Sequence, residues 1–442
     1  MQNRSKCYLA LSFGVAAVAF ADLSGSYILP LDDETVRYSK RPATDPVELL
    51  NRKIARGEVT LEFDDKQGYL RSVLQALNVP VQSQVLVFSK TSFQATRISP
   101  KMPRALYFND STAVGFVRES EVLEFASVDP KLGPVFYTLD QEKVAKPRFE
   151  RRDTSCLQCH DAGATLGVPG LLIRSVFPDP SGMPVFQAGD YFTDHRSPIQ
   201  ERWGGWYVTG THGAMTHLGN AVVRDRDHPE KMEGAAGLNV TDLSSKFDTA
   251  AYLTPHSDIV ALMTLEHQTR MTNLITRVGY ETAMALRDQA NFNQAYRQRA
   301  DEMSESTRHR IDSAVEEMLQ YMLFVDEAKL EAPIKGTSGF AESFRSAGPR
   351  DRKGRSLRDL DLQTRLLRYP LSYMIYSEAF DGMPEGARQR IYRRLFDVLS
   401  EKDKSKRYQG LSAVDRRAIL EILLDTKKDL PAYWKSAALA VR

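Results

Sequence analysis

EVLEFASV (121–128) and PVFYTL (134–139) are two apolar runs that are separated by the turn sequence DPKLGP (129–134). Runs of this length, rich in β-branched and aromatic residues and bounded by turn signals, predict β-strands that pair with their neighbours. The preceding stretch contains three more runs of the same kind: QVLVFS (84–89), RALYF (104–108) and AVGFV (113–117). The N-terminal half is therefore predicted to contain a sheet of short antiparallel strands.

Apolar residues at helical spacing flank these runs on both sides. Two predicted helices precede the runs, at 45–58 and 68–79, and the chain beyond residue 240 is predicted to be mainly helical. The predicted C-terminal helices are 257–286, 304–324, 356–380, 386–400 and 412–426. Ser257 and Asp258 form an N-cap pair for the first of these, and Pro370 is expected to break or kink the third.

The stretch between these halves, 156–240, is rich in Gly, Pro, His and aromatic residues and is predicted to be mostly loop. Within it, GLLIRSVF (170–177) and MPVFQAG (183–189) flank a DPSG turn and predict a hairpin. We therefore expect an α+β protein. It would have a mixed α/β region at 22–155 with short antiparallel strands, the Gly- and aromatic-rich centre, and a mostly α-helical region at 241–442.

Residues 1–21 predict a secretory signal peptide that is removed from the mature chain. Arg4 and Lys6 precede a short apolar stretch, which ends in the small-x-small sequence AFA at 19–21. We therefore expect a periplasmic or otherwise exported protein, with an uncleaved membrane anchor as the alternative. No second apolar stretch of spanning length follows, so the mature chain is expected to have no membrane span.

The balance of charges argues against nucleic acid as a partner. The full chain has 59 Lys and Arg residues against 57 Asp and Glu residues, and loss of Arg4 and Lys6 with the signal leaves 57 of each. A neutral chain lacks the basic excess that binds nucleic acids and anionic membrane surfaces. We therefore expect no nucleic-acid partner.

Only two cysteines follow the predicted signal, and both belong to the sequence CLQCH at 156–160. Thiols three positions apart on a helical turn, such as those of Cys156 and Cys159, can form thioethers with the two vinyl groups of one haem. His160 then lies under the iron as its proximal ligand. A redox dithiol favours a βαβ setting, a zinc site needs four ligands, and a structural disulfide leaves His160 unexplained.

The CLQCH motif behind an export signal resembles the c-type cytochromes, and the resemblance covers the motif and its flanks. GVPG (167–170) and GMPVF (182–186) are similar to Gly-Pro and Met-Pro segments of the small soluble members. Met183, however, follows His160 by only 23 residues, which is closer than that fold usually places them. The resemblance implies one covalently bound haem c and a redox role. The whole chain also resembles large exported proteins with one haem motif and no assigned activity.

The sixth iron ligand is a separate question, because a haem that transfers electrons has two axial ligands whereas a catalytic haem keeps an open face. The segment 193–220 contains three histidines, two tryptophans and two arginines. It is therefore predicted to form the haem pocket, with a buried aromatic cluster as the alternative. The candidate distal ligands are His217, then His212, with Met183 and His195 behind them.

Other side chains are also candidates for the haem surroundings. Segment 193–220 supplies rings that could stack on a porphyrin and guanidinium groups that could pair with its propionates: Trp203, Trp206, Tyr207, Arg196 and Arg202. On the predicted helix at 257–286, His256 and His267 lie about three turns apart on one face. His267 or Arg270 could line the distal side, but we favour a buried polar network there.

Three functions remain open. The first is electron transfer with an unidentified redox partner protein. The second is a haem enzyme of peroxidase or oxidase type with an open distal site, which suits the His, Arg and Trp content of 193–220. The third is a haem-containing sensor or scaffold. A redox cytochrome in the broad sense is the preferred expectation.

Overall fold

The computed structural model describes residues 27–232, 234 and 237–435, so the predicted signal at 1–21 lies outside the described residues. The α+β prediction is confirmed: a seven-stranded antiparallel sheet occupies the N-terminal half, and the C-terminal half is mostly helical. The predicted region boundaries near residues 155 and 240 stay predictions. In the described part of the chain, no helix is both long enough and apolar enough to cross a membrane.

The elements follow the predicted order along the chain. The strands are β1 (Val85–Val87), β2 (Arg104–Phe108), β3 (Thr112–Phe116), β4 (Val122–Asp129), β5 (Gly133–Asp140), β6 (Phe149–Arg151), β7 (Arg174–Val176), β8 (Asp190–Phe192) and β9 (Trp206–Tyr207). The helices are α1 (Pro46–Ala55), α2 (Leu70–Ala76), α3 (Asp153–His160), α4 (Ile259–Ala295), α5 (Glu305–Met322), α6 (Phe340–Ser346), α7 (Glu378–Gly382), α8 (Glu385–Leu399) and α9 (Ala413–Thr426). The sheet has the order β6-β5-β4-β3-β2-β1-β9, and β7 pairs with β8 in a separate ribbon.

Helices α1 and α2 pack against one face of the sheet. Asp45 caps α1 because its carboxylate accepts hydrogen bonds from two backbone N–H groups of the first turn. Pro46 suits the first helical position, since it has no N–H to satisfy there. Helical spacing then places three apolar side chains of α1 in the core: Val47, Leu50 and Ile54.

The 37-residue helix α4 lies at the centre of the protein and is buried around most of its circumference. It begins at the predicted N-cap, where Oδ1 of Asp258 accepts the N–H groups of Val260 at 2.8 Å and Ala261 at 3.2 Å. Oδ2 of the same carboxylate accepts the N–H groups of Thr337 and Ser338 at 2.7 and 2.8 Å. One carboxylate therefore fixes both the start of α4 and the chain that leads into α6.

Four of the five predicted C-terminal helices are confirmed as α4, α5, α8 and α9, but the helix predicted at 356–380 is wrong. Residues 356–377, all of them described by the structure, form no α-helix, and Leu360 pairs with Leu367 in an isolated bridge. The Asp361 carboxylate accepts the backbone N–H groups of residues 363 and 364 and closes a turn. The leucines of the stretch are buried in the core without lying on one helical face, so their spacing misled the prediction.

The DPSG turn forms, but the second strand predicted at 183–189 does not. Asp179 accepts backbone N–H groups inside the turn, and Gly182 adopts a φ of 87°, which favours glycine. Pro178 and Pro184 form only an isolated bridge, because a proline has no N–H to extend a ladder. β7 pairs instead with β8, further along the chain.

Asp258→Ala should lower the free energy of unfolding by about 1–3 kcal/mol, because it removes an N-cap and leaves further backbone N–H groups without an acceptor. Urea unfolding followed by far-ultraviolet circular dichroism measures this change. Asp258→Asn keeps one acceptor oxygen and should lose less. Equal unfolding midpoints for D258A and the unchanged protein would contradict the assignment of this carboxylate.

Candidate functional site

Helix α3 carries the whole CLQCH sequence and packs against β5. An ion pair of 2.7 Å between Arg151 and Asp153 links β6 to the first turn of the helix. Cys156 is half-buried, Cys159 is exposed, and both thiols are free. Because residues three apart lie on one side of a helix, both thiols point to the same side of α3, and His160 ends the helix next to them.

The ring of His160 is held from outside its own helix. Its Nδ1 lies 2.8 Å from the carbonyl oxygen of Gly170, whose N–H donates to the carbonyl of His160 at 2.8 Å. Gly170 tolerates no side chain, because a Cβ there would lie 2.6 Å from Oδ1 of Asn273 on α4. The Asn273 amide binds the N–H and the carbonyl of Leu171 at 2.8 and 2.7 Å. Helix α4 therefore positions the segment that orients His160.

These contacts define the protonation of His160. A carbonyl oxygen only accepts hydrogen bonds, so Nδ1 carries the hydrogen and Nε2 keeps its lone pair. Burial lowers the pKa of His160, and the Gly170 carbonyl offsets part of that effect. The ring is therefore neutral, with a free lone pair on Nε2. This is the form in which histidine binds a metal ion, and a hydrogen bond from the other nitrogen is the usual support for it.

An open cleft lies between α3 and the sheet, and we call it the α3 cleft. Cys156, Cys159 and His160 border it on one side, strands β2 to β5 on another, and residues 171–173 with parts of α4 on a third. It contains about 1080 Å³ of space between protein atoms, counting its open mouth. Both motif cysteines and the histidine thus meet one shared space.

Three small residues lie on the sheet face inside the α3 cleft. The cross-strand register places Ala113, Gly115 and Ala126 there. Larger apolar side chains surround them, and the ring of Phe136 lies 4.7 Å from that of His160, centroid to centroid. The space directly over Gly115 is filled by a charged pair of side chains, so the apolar part of this face is the part around the two alanines and Phe136.

Arg104 on β2 and Glu124 on β4 form an ion pair across β3 inside the cleft, with side chains 21% and 10% exposed. Gly115 lies between them, and a Cβ there would approach Nη2 of Arg104 to 2.7 Å. Oε1 of Glu124 accepts hydrogen bonds from Gln94 at 2.8 Å and Ser92 at 3.2 Å. Nε of Arg104 is buried and has no acceptor among the described residues.

The distal candidates His217, His212 and Met183 do not line the α3 cleft. Nδ1 of His217 accepts the N–H of Gly219 at 3.0 Å, and Nε2 of His212 accepts the N–H of Asn239 at 3.0 Å. Because a backbone N–H only donates, the other nitrogen of each neutral ring carries the hydrogen. Neither of those nitrogens has a lone pair to give to iron while these bonds persist.

The lower-ranked candidates also lie elsewhere. Met183 directly follows the DPSG turn and is 41% exposed. His195 is buried, with its Nδ1 2.8 Å from Nδ1 of His267, and Nε2 of His267 lies 2.8 Å from the hydroxyl of Ser372. His195 and His267 therefore form a buried polar network, which is the interpretation favoured for His267 from the sequence. His256 is half-buried beside the start of α4.

The other candidate side chains of segment 193–220 form their contacts outside the α3 cleft. Arg202 pairs with Glu266 at 2.9 Å in the core, and Arg196 pairs with Asp194 at 2.7 Å. Three aromatic side chains of the segment are buried outside the cleft: Trp203, Trp206 and Tyr207. The arrangement matches the buried aromatic cluster that was the alternative to a haem pocket.

Sequence reasoning missed Arg104, Glu124 and Gly115, which line the cleft, and Asn273, which positions its histidine. A weak signal existed for the first two, since each is a charged residue within an apolar strand run. Their pairing across Gly115 depends on strand register, however, and register is fixed by the sheet as a whole.

Comparison with known proteins gives no relative: no protein family matches the sequence, and no curated protein or solved structure is significantly similar to it. Among the residues that the structure describes, no three His, Cys, Asp or Glu side chains are grouped to hold a metal ion by themselves. The interpretation of the site therefore depends on its own geometry.

His217→Gln should reduce the loss of stability on acidification. Burial lowers the pKa of His217 to about 3, so below pH ~6.5 the unfolded chain binds a proton at this ring that the folded chain does not. Acidification therefore favours unfolding through this group, and the effect disappears with the imidazole. The difference in unfolding free energy between the two proteins should shrink by about 2 kcal/mol from pH ~7 to pH ~5.

Urea unfolding at both pH values measures that difference, and His309→Gln provides the control for losing an exposed imidazole. If the H217Q difference is the same at both pH values, His217 is not a neutral buried ring.

Proposed function

We propose that this chain carries one haem c in the α3 cleft, attached through Cys156 and Cys159 and ligated by His160, and that it performs redox chemistry in an exported compartment. The orientation of His160 carries the proposal. Its Nδ1 donates to Gly170, which leaves the Nε2 lone pair for iron. The predicted signal at 1–21 supports export, because covalent haem attachment and secretion occur together in c-type cytochromes.

The residues of the α3 cleft fit a haem in several independent ways. Both thiols and His160 border one space, as attachment and ligation require. Ala113 and Ala126 are small residues on the sheet side of the cleft, and apolar side chains form most of its walls.

Each residue would have a defined task toward the cofactor. The two cysteines tether it, so it is retained outside the cell membrane. Gly170 and Asn273 keep the His160 ring in one orientation. Cys159, one of the two attachment residues, is exposed, so a redox partner protein would have access to this side of α3. A bound haem supplies one-electron chemistry and, where a face is open, a position for a small ligand.

Small-molecule chemistry is the second candidate function, and the lining of the cleft favours it over a simple electron shuttle. Among the described residues that line the α3 cleft, His160 is the one histidine, and there is no methionine. A six-coordinate electron-transfer haem needs a second such ligand. An open sixth position suits a haem enzyme of peroxidase or oxidase type.

Cys156→Ser and Cys159→Ser should each leave at most one thioether. Expression with a cytochrome c maturation system, followed by intact-mass measurement and the pyridine haemochrome spectrum, reports both the haem mass and the number of unreacted vinyl groups. Gln158→Ala, an exposed position on the same helix, should keep two thioethers. An unchanged protein that stays colourless and lacks the added mass would defeat the proposal.

The reduced protein should bind carbon monoxide, and the ferric protein should have a high-spin absorption spectrum, because the described residues that line the cleft include no second histidine and no methionine. His217→Gln and Met183→Leu should leave both spectra unchanged. A low-spin protein that does not respond to carbon monoxide, and that becomes high-spin in H217Q, would instead identify His217 as the distal ligand and electron transfer as the function.

A further inference from the structure

The loop at 161–170 carries the carbonyl that orients His160, and α4 holds this loop at two places. Asn273 binds the backbone just past the end of the loop. Arg277 lies one helical turn further along the same face of α4, and its Nη1 donates to the carbonyl of Leu166 at 2.8 Å. The central helix therefore holds the loop both near its middle and beyond its end.

Residues 27–29 pack against the same loop, and we call them the N-terminal strap. The N–H of Leu29 donates to the carbonyl of Gly167 at 2.8 Å. Nη1 of Arg277 also donates to the carbonyl of Tyr27 at 3.0 Å, and the guanidinium carbon lies 4.4 Å from the centroid of the Tyr27 ring. Gly167 has a φ of 64°, and a Cβ there would collide with the carbonyl oxygen of Tyr27. One guanidinium thus binds both the loop and the strap.

Glu281, a further turn along α4, completes this arrangement. Its Oε1 accepts hydrogen bonds from Nη2 of Arg277 at 2.6 Å and from the hydroxyl of Tyr27 at 2.5 Å, and its Oε2 accepts one from Nε of Arg310 at 2.6 Å. The side chains of Arg277 and Glu281 are each only 5% exposed. A buried charged pair often adds little net stability, but its directional bonds restrict the groups that it contacts. The groups restricted here are the strap and the loop next to His160.

We propose that Arg277 and the N-terminal strap position His160 through the 161–170 loop and thereby tune the reduction potential of the attached haem. This inference rests on the proposed haem function. A hydrogen bond from Nδ1 raises the basicity of Nε2, which favours ferric iron and lowers the potential. The strength of that bond depends on where the Gly170 carbonyl lies, and Gly170 ends the loop that Arg277 holds. A loosened loop weakens the bond and raises the potential.

The test measures two properties of the holoprotein: its reduction potential and, in the ferrous state, the Fe–His stretching frequency in the resonance Raman spectrum. Arg277→Gln removes the charge and most of the donors. It should shift the equilibrium toward ferrous protein by up to about tenfold, which raises the potential by up to about 59 mV, and the Fe–His frequency should fall. Arg277→Lys keeps the charge and three donors, so both shifts should be smaller.

Arg287→Gln is the matched control. This arginine also belongs to α4 and pairs with Asp33 at 2.6 Å, close to the strap in sequence but not part of it. The potential and the Fe–His frequency should stay unchanged in R287Q.

Several outcomes would overturn the inference. An unchanged potential and frequency in R277Q would do so, even if its stability falls, because Arg277 would then have a purely structural role. An equal shift in R287Q would also do so. If R277Q fails to fold, Tyr27→Ala decides the matter, since this half-exposed side chain can be removed without emptying the core. Y27A should raise the potential, and an unchanged potential contradicts the proposal. Absence of haem from the unchanged protein is a different failure, that of the proposed function, and the mass measurement identifies it.

Discussion

The hydrogen bond between Nδ1 of His160 and the carbonyl of Gly170 is the contact on which the site depends. A neutral imidazole can carry its hydrogen on either nitrogen, and this acceptor selects one of the two forms. Gly170 reaches the ring because it has no Cβ to meet Asn273. Asn273 belongs to α4, whose start is fixed by Asp258. The central helix therefore sets the orientation of a histidine that lies on a short surface helix.

A helix that is buried on nearly all sides needs partners for its own polar groups, and several of the buried polar side chains of α4 have them. Asn273 holds the segment next to His160, Glu266 pairs with Arg202, and His267 bonds to His195. Burial raises the pKa of Glu266 to about 7 and lowers that of His267 to about 3, so both favour their neutral forms more than in water. Directional bonds of this kind fix the rotation of α4 against the sheet, and with it the wall of the cleft.

The sheet could be predicted, and the CLQCH motif recognised, because both are local patterns. The motif needs five consecutive residues, and each strand needs only a short apolar run between turns. The placement of the histidines could not be predicted, since their hydrogen bonds to backbone N–H groups come from Gly219 and Asn239, through loop geometry that sequence spacing does not encode. The wrong prediction of a helix at 356–380 has a related cause. The Asp361 carboxylate accepts backbone N–H groups there and closes a turn, which sequence spacing does not reveal.

The CLQCH motif consists of five consecutive residues, whereas the residues that surround it in the cleft come from distant parts of the chain. The lining of the α3 cleft comes from residues 91 to 269, and its two charged members meet only because strands β2, β3 and β4 pair in one register. Gly115 is as important as the charges, because a larger residue would displace the guanidinium. Substitutions on the sheet can therefore change the lining of the cleft while the CLQCH sequence stays intact. The shape and charge of the α3 cleft therefore depend on residues that are distant from the CLQCH motif in sequence.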